Sequence, residues 1–173
     1  ASAVRDATWI HRHIAPDQHV EVVDVSGALA VIGVMGPNAR ALLQRVSTAD
    51  FDDFAFGTSR IIDCGSFSVR ATRITYVGEL GWELYVPSEF AVGVYDALFA
   101  AGADLGVTNA GYYAINALRL EKGYRAFGPE LNPDVSPVDA GLLFATKLKS
   151  NTPFLGREAL EQRRSDGAAR VVV

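Results

Sequence analysis

RITYVGELGWELYVP, residues 73–87, carries the strongest structural signal in this chain. Two apolar, β-branched runs flank a short core that contains Gly78, Gly81 and two carboxylates. Glycine permits positive φ angles and close approach of the backbone to a neighbour. The core therefore predicts a tight loop that folds against another part of the protein.

The residues after this loop predict a half-buried strand. In ELYV, residues 83–86, strict alternation places Glu83 and Tyr85 on one face and the two aliphatic side chains on the other. If the aliphatic face lies in the core, Glu83 faces a cleft or solvent. An ordinary polar hairpin connection in an antiparallel sheet explains the same pattern, because loops are polar in any case.

Composition narrows the possible classes of protein. The 173 residues are 49% hydrophobic and 21% charged, which is enough for one good core or two small ones. The net charge of -4 and the absence of a basic stretch with interleaved aromatic residues argue against nucleic acid as a partner. The single cysteine, Cys64, excludes an internal disulfide, and its context predicts a strand residue rather than a nucleophile.

The apolar runs are shorter than a membrane helix requires, and the chain opens without a secretory pattern. These features predict no membrane association and a cytoplasmic protein, or a mitochondrial-matrix protein in a eukaryote. Because the sequence starts at Ala1 and stops in an apolar run, AARVVV, we expect a longer protein with sequence missing on both sides.

Periodicity and turn signals predict an α+β fold with mixed, mostly antiparallel sheets and flanking helices. The Leu29–Met35 strand is apolar throughout, as in a central strand, and Ser88 is the expected cap of the helix that follows it. The expected helices are 1–14, 39–46, 90–103, 109–122 and 154–164, and the expected strands are 20–25, 29–35, 59–63, 67–75, 83–86 and 142–148.

Most of the remaining polar residues are explained without a ligand. The three histidines lack the spacing and the additional ligands of a metal site, so no metal is predicted. Asp50, Asp52 and Asp53 crowd a turn, where aspartate forms local backbone bonds. Arg119 has two interpretations. It forms an ordinary surface ion pair with a neighbouring acid, or its guanidinium binds a carboxylate in a cleft. Residues 128–137 form a loop long enough to cover a site.

Five motifs follow one another along the chain: GVMGPNARALL at 33–43, RITYVGELGWELYVP at 73–87, AGYYAINALRLEKGYRAFGPEL at 110–131, SPVDAGL at 136–142 and FLGREAL at 154–160. Together they resemble the aminomethyltransferase (glycine cleavage T-protein) family. Within that family, the second and third motifs are more similar to the folate-binding half of sarcosine and dimethylglycine dehydrogenases.

The resemblance implies a tetrahydrofolate-binding domain that accepts a one-carbon unit from an amine-derived intermediate. It implies that Glu83 pairs with the pterin ring, that Tyr76 lines the same pocket and that Arg119 lies near the folate. It gives Glu79 no ligand role. The catalytic aspartate of the family is expected ahead of the matched region, so no catalytic residue is assigned in this chain.

The resemblance also implies a domain division and three hypotheses for the whole protein. Residues 1–150 would form the folate-binding region, and residues 151–173 a terminal helix and strand leading toward a C-terminal barrel.

The first hypothesis is a dehydrogenase-like enzyme whose FAD lies in an upstream flavin domain. The second is a stand-alone aminomethyltransferase acting with a lipoyl carrier protein. The third is a non-catalytic module that binds folate or a partner. The chain alone is not expected to be catalytically competent.

Overall fold

The computed structural model describes residues 2–167. Four strands and five α-helices form its regular structure, with short 3₁₀ turns at Ser88–Phe90, Ala103–Leu105 and Leu143–Ala145. The strands are β1 (Leu29–Met35), β2 (Ser59–Cys64), β3 (Phe67–Thr72) and β4 (Gly81–Pro87), and the helices are α1 (Ala3–Arg12), α2 (Ala39–Val46), α3 (Ala91–Ala101), α4 (Tyr112–Glu121) and α5 (Arg157–Asp166).

The four strands form one antiparallel sheet in the order β1-β4-β3-β2. Leu84 on β4 is opposite Ile32 on β1 and Ala71 on β3, so one face of the sheet is apolar across its centre. Helices α2 and α3 pack over that face and against each other. This arrangement confirms the predicted α+β fold with an antiparallel sheet and flanking helices.

Aromatic side chains fill the centre of the core. Trp82 is fully buried, and its ring lies edge-on to Phe51 and Phe54 at centroid distances of 5.4 and 6.1 Å. Such edge-to-face pairs contribute about 0.5–1.5 kcal/mol beyond the burial of their area. The predicted alternation is confirmed, because Leu84 and Val86 share this core face while Glu83 lies on the opposite, outer face.

Two strand predictions near the start of the chain are wrong. Residues 20–25 form no strand, because no described strand pairs with them, and Val20, Val23 and Val25 are more than half exposed. In the described sheet β1 is an edge strand rather than a central one, with Val31 exposed on the outer face. An apolar run marks a strand but does not give its position in the sheet.

Two further predictions failed for local reasons. Residues 142–148 contain a 3₁₀ turn instead of a strand, because Thr146 and Ala145 bond back to carbonyls three residues earlier. Ser88 does not cap α3: its hydroxyl donates to the Gly27 carbonyl, and Phe90 occupies the cap position. The predicted strand at 168–173 lies outside the described residues.

Helix α4 begins three residues later than predicted, and its apolar repeat does not face the core. Tyr112 is 78% exposed and Leu118 is 36% exposed, whereas Arg119 is the buried residue of this helix. Within residues 2–167, no helix is both long enough and apolar enough to cross a membrane.

Candidate functional site

Gly78 in the 73–80 loop and Gly81 at the start of β4 allow this loop to pack closely on both sides. Gly78 has a φ of +73°, and a Cβ built there would lie 2.2 Å from Lys122 Cγ at the end of α4. A Cβ at Gly81 would lie 2.8 Å from Met35 Cγ and 3.3 Å from two backbone carbonyls. The loop therefore packs between β1 and the end of α4, and the sequence had predicted a tight loop without identifying these neighbours.

Glu83 lies on the outer face of the sheet in the middle of β4. Its neighbours across the strands are Gly33 on β1 and Thr72 on β3. The Tyr85 hydroxyl donates a 2.7 Å hydrogen bond to Glu83 Oε2, and this bond raises the pKa of Tyr85. Because Gly33 is exposed and has no side chain, the surface beside the carboxylate is open.

The same outer face carries a shallow depression of about 350 Å³ next to Tyr85. Apolar and polar side chains line it together: Leu29, Ile61, Ser68, Val69, Arg70, Thr72, Tyr85 and Pro87. Neither Tyr76 nor Arg119 is among these residues. The depression is thus adjacent to Glu83 on the sheet but is not an enclosed pocket around the predicted site residues.

Tyr76 occupies the loop that precedes β4 and is 38% exposed. Its hydroxyl is 3.5 Å from the carbonyl oxygen of Arg125, which is at the limit of a hydrogen bond. This contact brings the loop of Tyr76 against the segment that follows α4. More than a third of the residue is exposed, so part of Tyr76 is accessible to a ligand.

Arg119 is 2% exposed and almost saturated with acceptors. Nε and Nη2 donate to Asn116 Oδ1 at 3.0 and 2.7 Å, and Nη1 donates to the Tyr124 carbonyl at 2.9 Å and to Glu130 Oε2 at 2.7 Å. These bonds use four of the roughly five N–H groups of a guanidinium. The side chain is therefore neither a surface pair nor an open fork.

Glu130, in the loop that follows α4, provides the carboxylate that binds Arg119. Its Oε2 also accepts a 2.8 Å bond from the Ala126 amide. The bond from Arg119, with that amide bond, lowers the pKa of Glu130. Reciprocally, the bond to Glu130 raises the pKa of Arg119.

The structure thus brings two of the three predicted residues together. Tyr76 and Arg119 meet around residues 124–130, whereas Glu83 projects from the sheet and bonds to Tyr85. Glu79 lies 3.6 Å from Lys122 Nζ in a half-exposed ion pair on the same loop.

Glu83, Tyr76 and Arg119 all lie in a region that matches a known protein family. The GCVT N-terminal domain family matches residues 1–150. The chain belongs to this family.

Curated relatives of this GCVT N-terminal domain include dehydrogenases, an oxidase and aminomethyltransferases. Human mitochondrial sarcosine dehydrogenase is 47% identical over 176 residues, an alignment that covers 99% of this chain and 19% of that protein. Human mitochondrial dimethylglycine dehydrogenase is 41% identical, with 99% and 20% covered. The aminomethyltransferase of Halothermothrix orenii is 35% identical, with 98% and 46% covered. The chain therefore spans about a fifth of the length of the dehydrogenases.

A solved structure supports the same fold. The glycine cleavage system aminomethyltransferase T from Bartonella henselae superposes with a TM-score of 0.81 and 25% sequence identity. The superposition covers 96% of this chain and 44% of that one. The resemblance to the aminomethyltransferase family and to sarcosine and dimethylglycine dehydrogenases is thereby confirmed.

The polar clusters discounted from the sequence have structural roles in this GCVT domain. Asp50 Oδ1 accepts from the amides of Asp52 and Asp53, which confirms the predicted turn. Cys64 is fully buried at the end of β2, and burial raises its pKa to about 11. Residues 2–167 contain no group of three histidine, cysteine or acidic side chains placed to hold a metal.

Sequence reasoning missed the partners of Arg119. Asn116 lies one helical turn earlier, and Glu130 follows eleven residues later. Asn116 could have been found from its spacing of three on a helix. Glu130 could not, because its approach depends on how residues 122–130 fold back.

Proposed function

We propose that this GCVT N-terminal domain binds tetrahydrofolate and takes part in transferring a one-carbon unit from an amine-derived intermediate, as part of a sarcosine- or dimethylglycine-dehydrogenase-like enzyme. The observation that carries the proposal is the half-buried Glu83 carboxylate on an open sheet face, within a motif of this family. The greater identity to the dehydrogenases than to the aminomethyltransferase favours that kind of enzyme.

The chemistry of Glu83 fits a pterin ring. A pterin presents an amino group and a ring N–H side by side, and one carboxylate can accept from both. The bond from Tyr85 engages only Oε2, so acceptor capacity remains on the carboxylate. Exposed Gly33 leaves room for a flat ring to approach along the sheet.

Tyr76 and Arg119 would contribute in different ways. Tyr76 offers a partly exposed ring for contact with the pterin, together with a hydroxyl. Arg119 is already occupied by Asn116, Tyr124 and Glu130, so its role in the site would be to hold the loop beside Tyr76. Bound tetrahydrofolate would itself supply the nucleophilic nitrogens that accept the one-carbon unit.

The test is a calorimetric titration of the full-length protein with 5-formyltetrahydrofolate. A charge-assisted hydrogen bond contributes about 1.5–3 kcal/mol, so Glu83→Gln should weaken binding by about ten- to a hundredfold. Glu79→Gln is the matched control, because Glu79 is a half-exposed glutamate on the neighbouring loop. The control should bind like the unmodified protein. Equal binding by Glu83→Gln, with a normal melting curve, would contradict the proposal.

The rest of the enzyme follows from the same proposal. A dehydrogenase-like protein would carry FAD in a covalently linked flavin domain, and the mitochondrial relatives favour the mitochondrial matrix as its location. The second candidate is a stand-alone aminomethyltransferase acting with a lipoyl carrier protein, favoured by the TM-score of 0.81. The full-length gene product separates the two, because only the first requires a dinucleotide-binding motif upstream.

A further inference from the structure

Arg125 differs from the other arginine at this site in what its guanidinium contacts. Nη1 donates a 2.6 Å bond to the Gly123 carbonyl, and Nε is buried without a hydrogen-bond partner among the described residues. No carboxylate of residues 2–167 pairs with it, whereas Arg119 pairs with Glu130. Because Nε is out of reach of solvent, a ligand would contact the terminal nitrogens, and the described residues provide no hydrogen bond to Nη2.

The position of Arg125 connects it to the proposed ligand site. Its carbonyl oxygen is the atom that the Tyr76 hydroxyl approaches at 3.5 Å. Its side chain lies between two glycine turns: Nη1 bonds to Gly123 O, and a Cβ built at Gly141 would be 3.4 Å from Nη2. The two turns thus flank the guanidinium, while the backbone carbonyl of the same residue contacts the loop of Tyr76.

The charge at this site also favours an anion. Arg119 and Arg125 contribute two positive charges, and Glu130 neutralises only the charge of Arg119. An arginine fork matches a carboxylate through two parallel N–H bonds. Tetrahydrofolate carries such carboxylates on its glutamate tail, at the opposite end from the pterin.

We propose that Arg125 recognises a carboxylate of the glutamate tail of the ligand, while Arg119 positions the loop that carries it; this rests on the proposed folate function. Glu83 would then hold the pterin end and Arg125 the acidic end. The competing explanation is structural: a basic side chain near the end of α4 satisfies a terminal carbonyl of that helix and nothing more.

The test compares two ligands that differ in the tail. The full-length protein and its Arg125→Met variant are titrated with 5-formyltetrahydrofolate and with 6-methyltetrahydropterin, which has no glutamate. The variant should bind 5-formyltetrahydrofolate about tenfold or more weakly and the tail-free pterin equally well. Arg125→Lys should lose less, because it keeps the charge but not the fork. Arg164→Met, an exposed arginine on α5, is the matched control.

Each other outcome overturns the inference or identifies a different failure. If Arg125→Met binds both ligands normally, or loses both equally, the guanidinium is structural and the inference is wrong. If the unmodified protein binds neither ligand, the folate function itself fails. Titration with p-aminobenzoylglutamate then tests Arg125 alone: binding that requires Arg125 supports carboxylate recognition, and absence of binding overturns it. Melting curves of both variants establish that they fold.

Discussion

Arg119 Nη1 lies 2.7 Å from Glu130 Oε2, which joins helix α4 to a loop residue eleven positions later. The two side chains are only 2% and 14% exposed, so the pair is largely removed from water. Removing both charges from such a pair is often harmless, but removing one leaves an uncompensated buried charge. The ion pair therefore holds the 122–130 loop against helix α4.

Glu130→Gln should destabilise the protein by about 3 kcal/mol, because it leaves the Arg119 charge buried without its carboxylate. Denaturant unfolding of the variant measures this change. The double variant Arg119→Met/Glu130→Leu should recover part of the loss, because neither charge is then left unpaired. If Glu130→Gln is as stable as the unmodified protein, the ion pair does not contribute to stability.

The pH dependence of stability should carry the signature of Glu130. Its pKa is lowered from the ordinary value of 4.5 in the folded state, first by Arg119 and then by the Ala126 amide. The unfolded state therefore binds the proton more readily. The contribution is present above about pH 4.5 and is lost as the pH falls through the lower folded pKa.

This prediction is measured as the difference in unfolding free energy between the unmodified protein and Glu130→Gln from pH 3 to 7, the range in which carboxylates titrate. The difference should shrink toward acid pH. Glu158→Gln, at an exposed glutamate in the first turn of α5, is the control for the substitution itself. A constant difference for Glu130→Gln across the range would contradict the assignment.

Gly78→Ala should destabilise the loop by about 1–3 kcal/mol, since it combines a strained positive φ with a contact on Lys122. Gly27→Ala is the natural comparison, because Gly27 has open space around its Cβ position and no positive φ. Thermal unfolding of both variants tests the difference. Equal melting temperatures would show that the loop relaxes away from α4 without cost.

Cys64 should resist thiol reagents in the native protein. It is fully buried, and its pKa of about 11 leaves little thiolate at neutral pH. The rate of reaction with a chromogenic disulfide should therefore follow unfolding, and added denaturant should accelerate it steeply. Rapid stoichiometric labelling of the folded protein would contradict this burial.

Some of the fold could be predicted because one face of each element is buried. Alternation at residues 83–86 correctly placed Glu83 and Leu84 on opposite faces of the sheet. A shift of one residue would have exposed the apolar side chains of this strand. The hairpin at 59–72 and helix α2 followed in the same way from local signals.

The remaining features depend on distant contacts that periodicity does not encode. Residues 20–25 have the β-branched composition of a strand but no described partner, and β1 has the composition of a central strand at the edge of the sheet. The hydrogen-bond partners of Arg119 and Arg125 could not be predicted either, because both sets depend on how the 122–130 loop folds back.

Helix α4 buries an arginine where most helices bury a hydrophobic stripe. Little apolar surface is exposed when such a helix detaches, so its amide hydrogens should exchange through local opening well below the free energy of global unfolding. A ligand held by Arg125 would stabilise the closed arrangement and slow that exchange. Part of the binding free energy would then be used to order α4, and affinity would depend on the intrinsic stability of one helix.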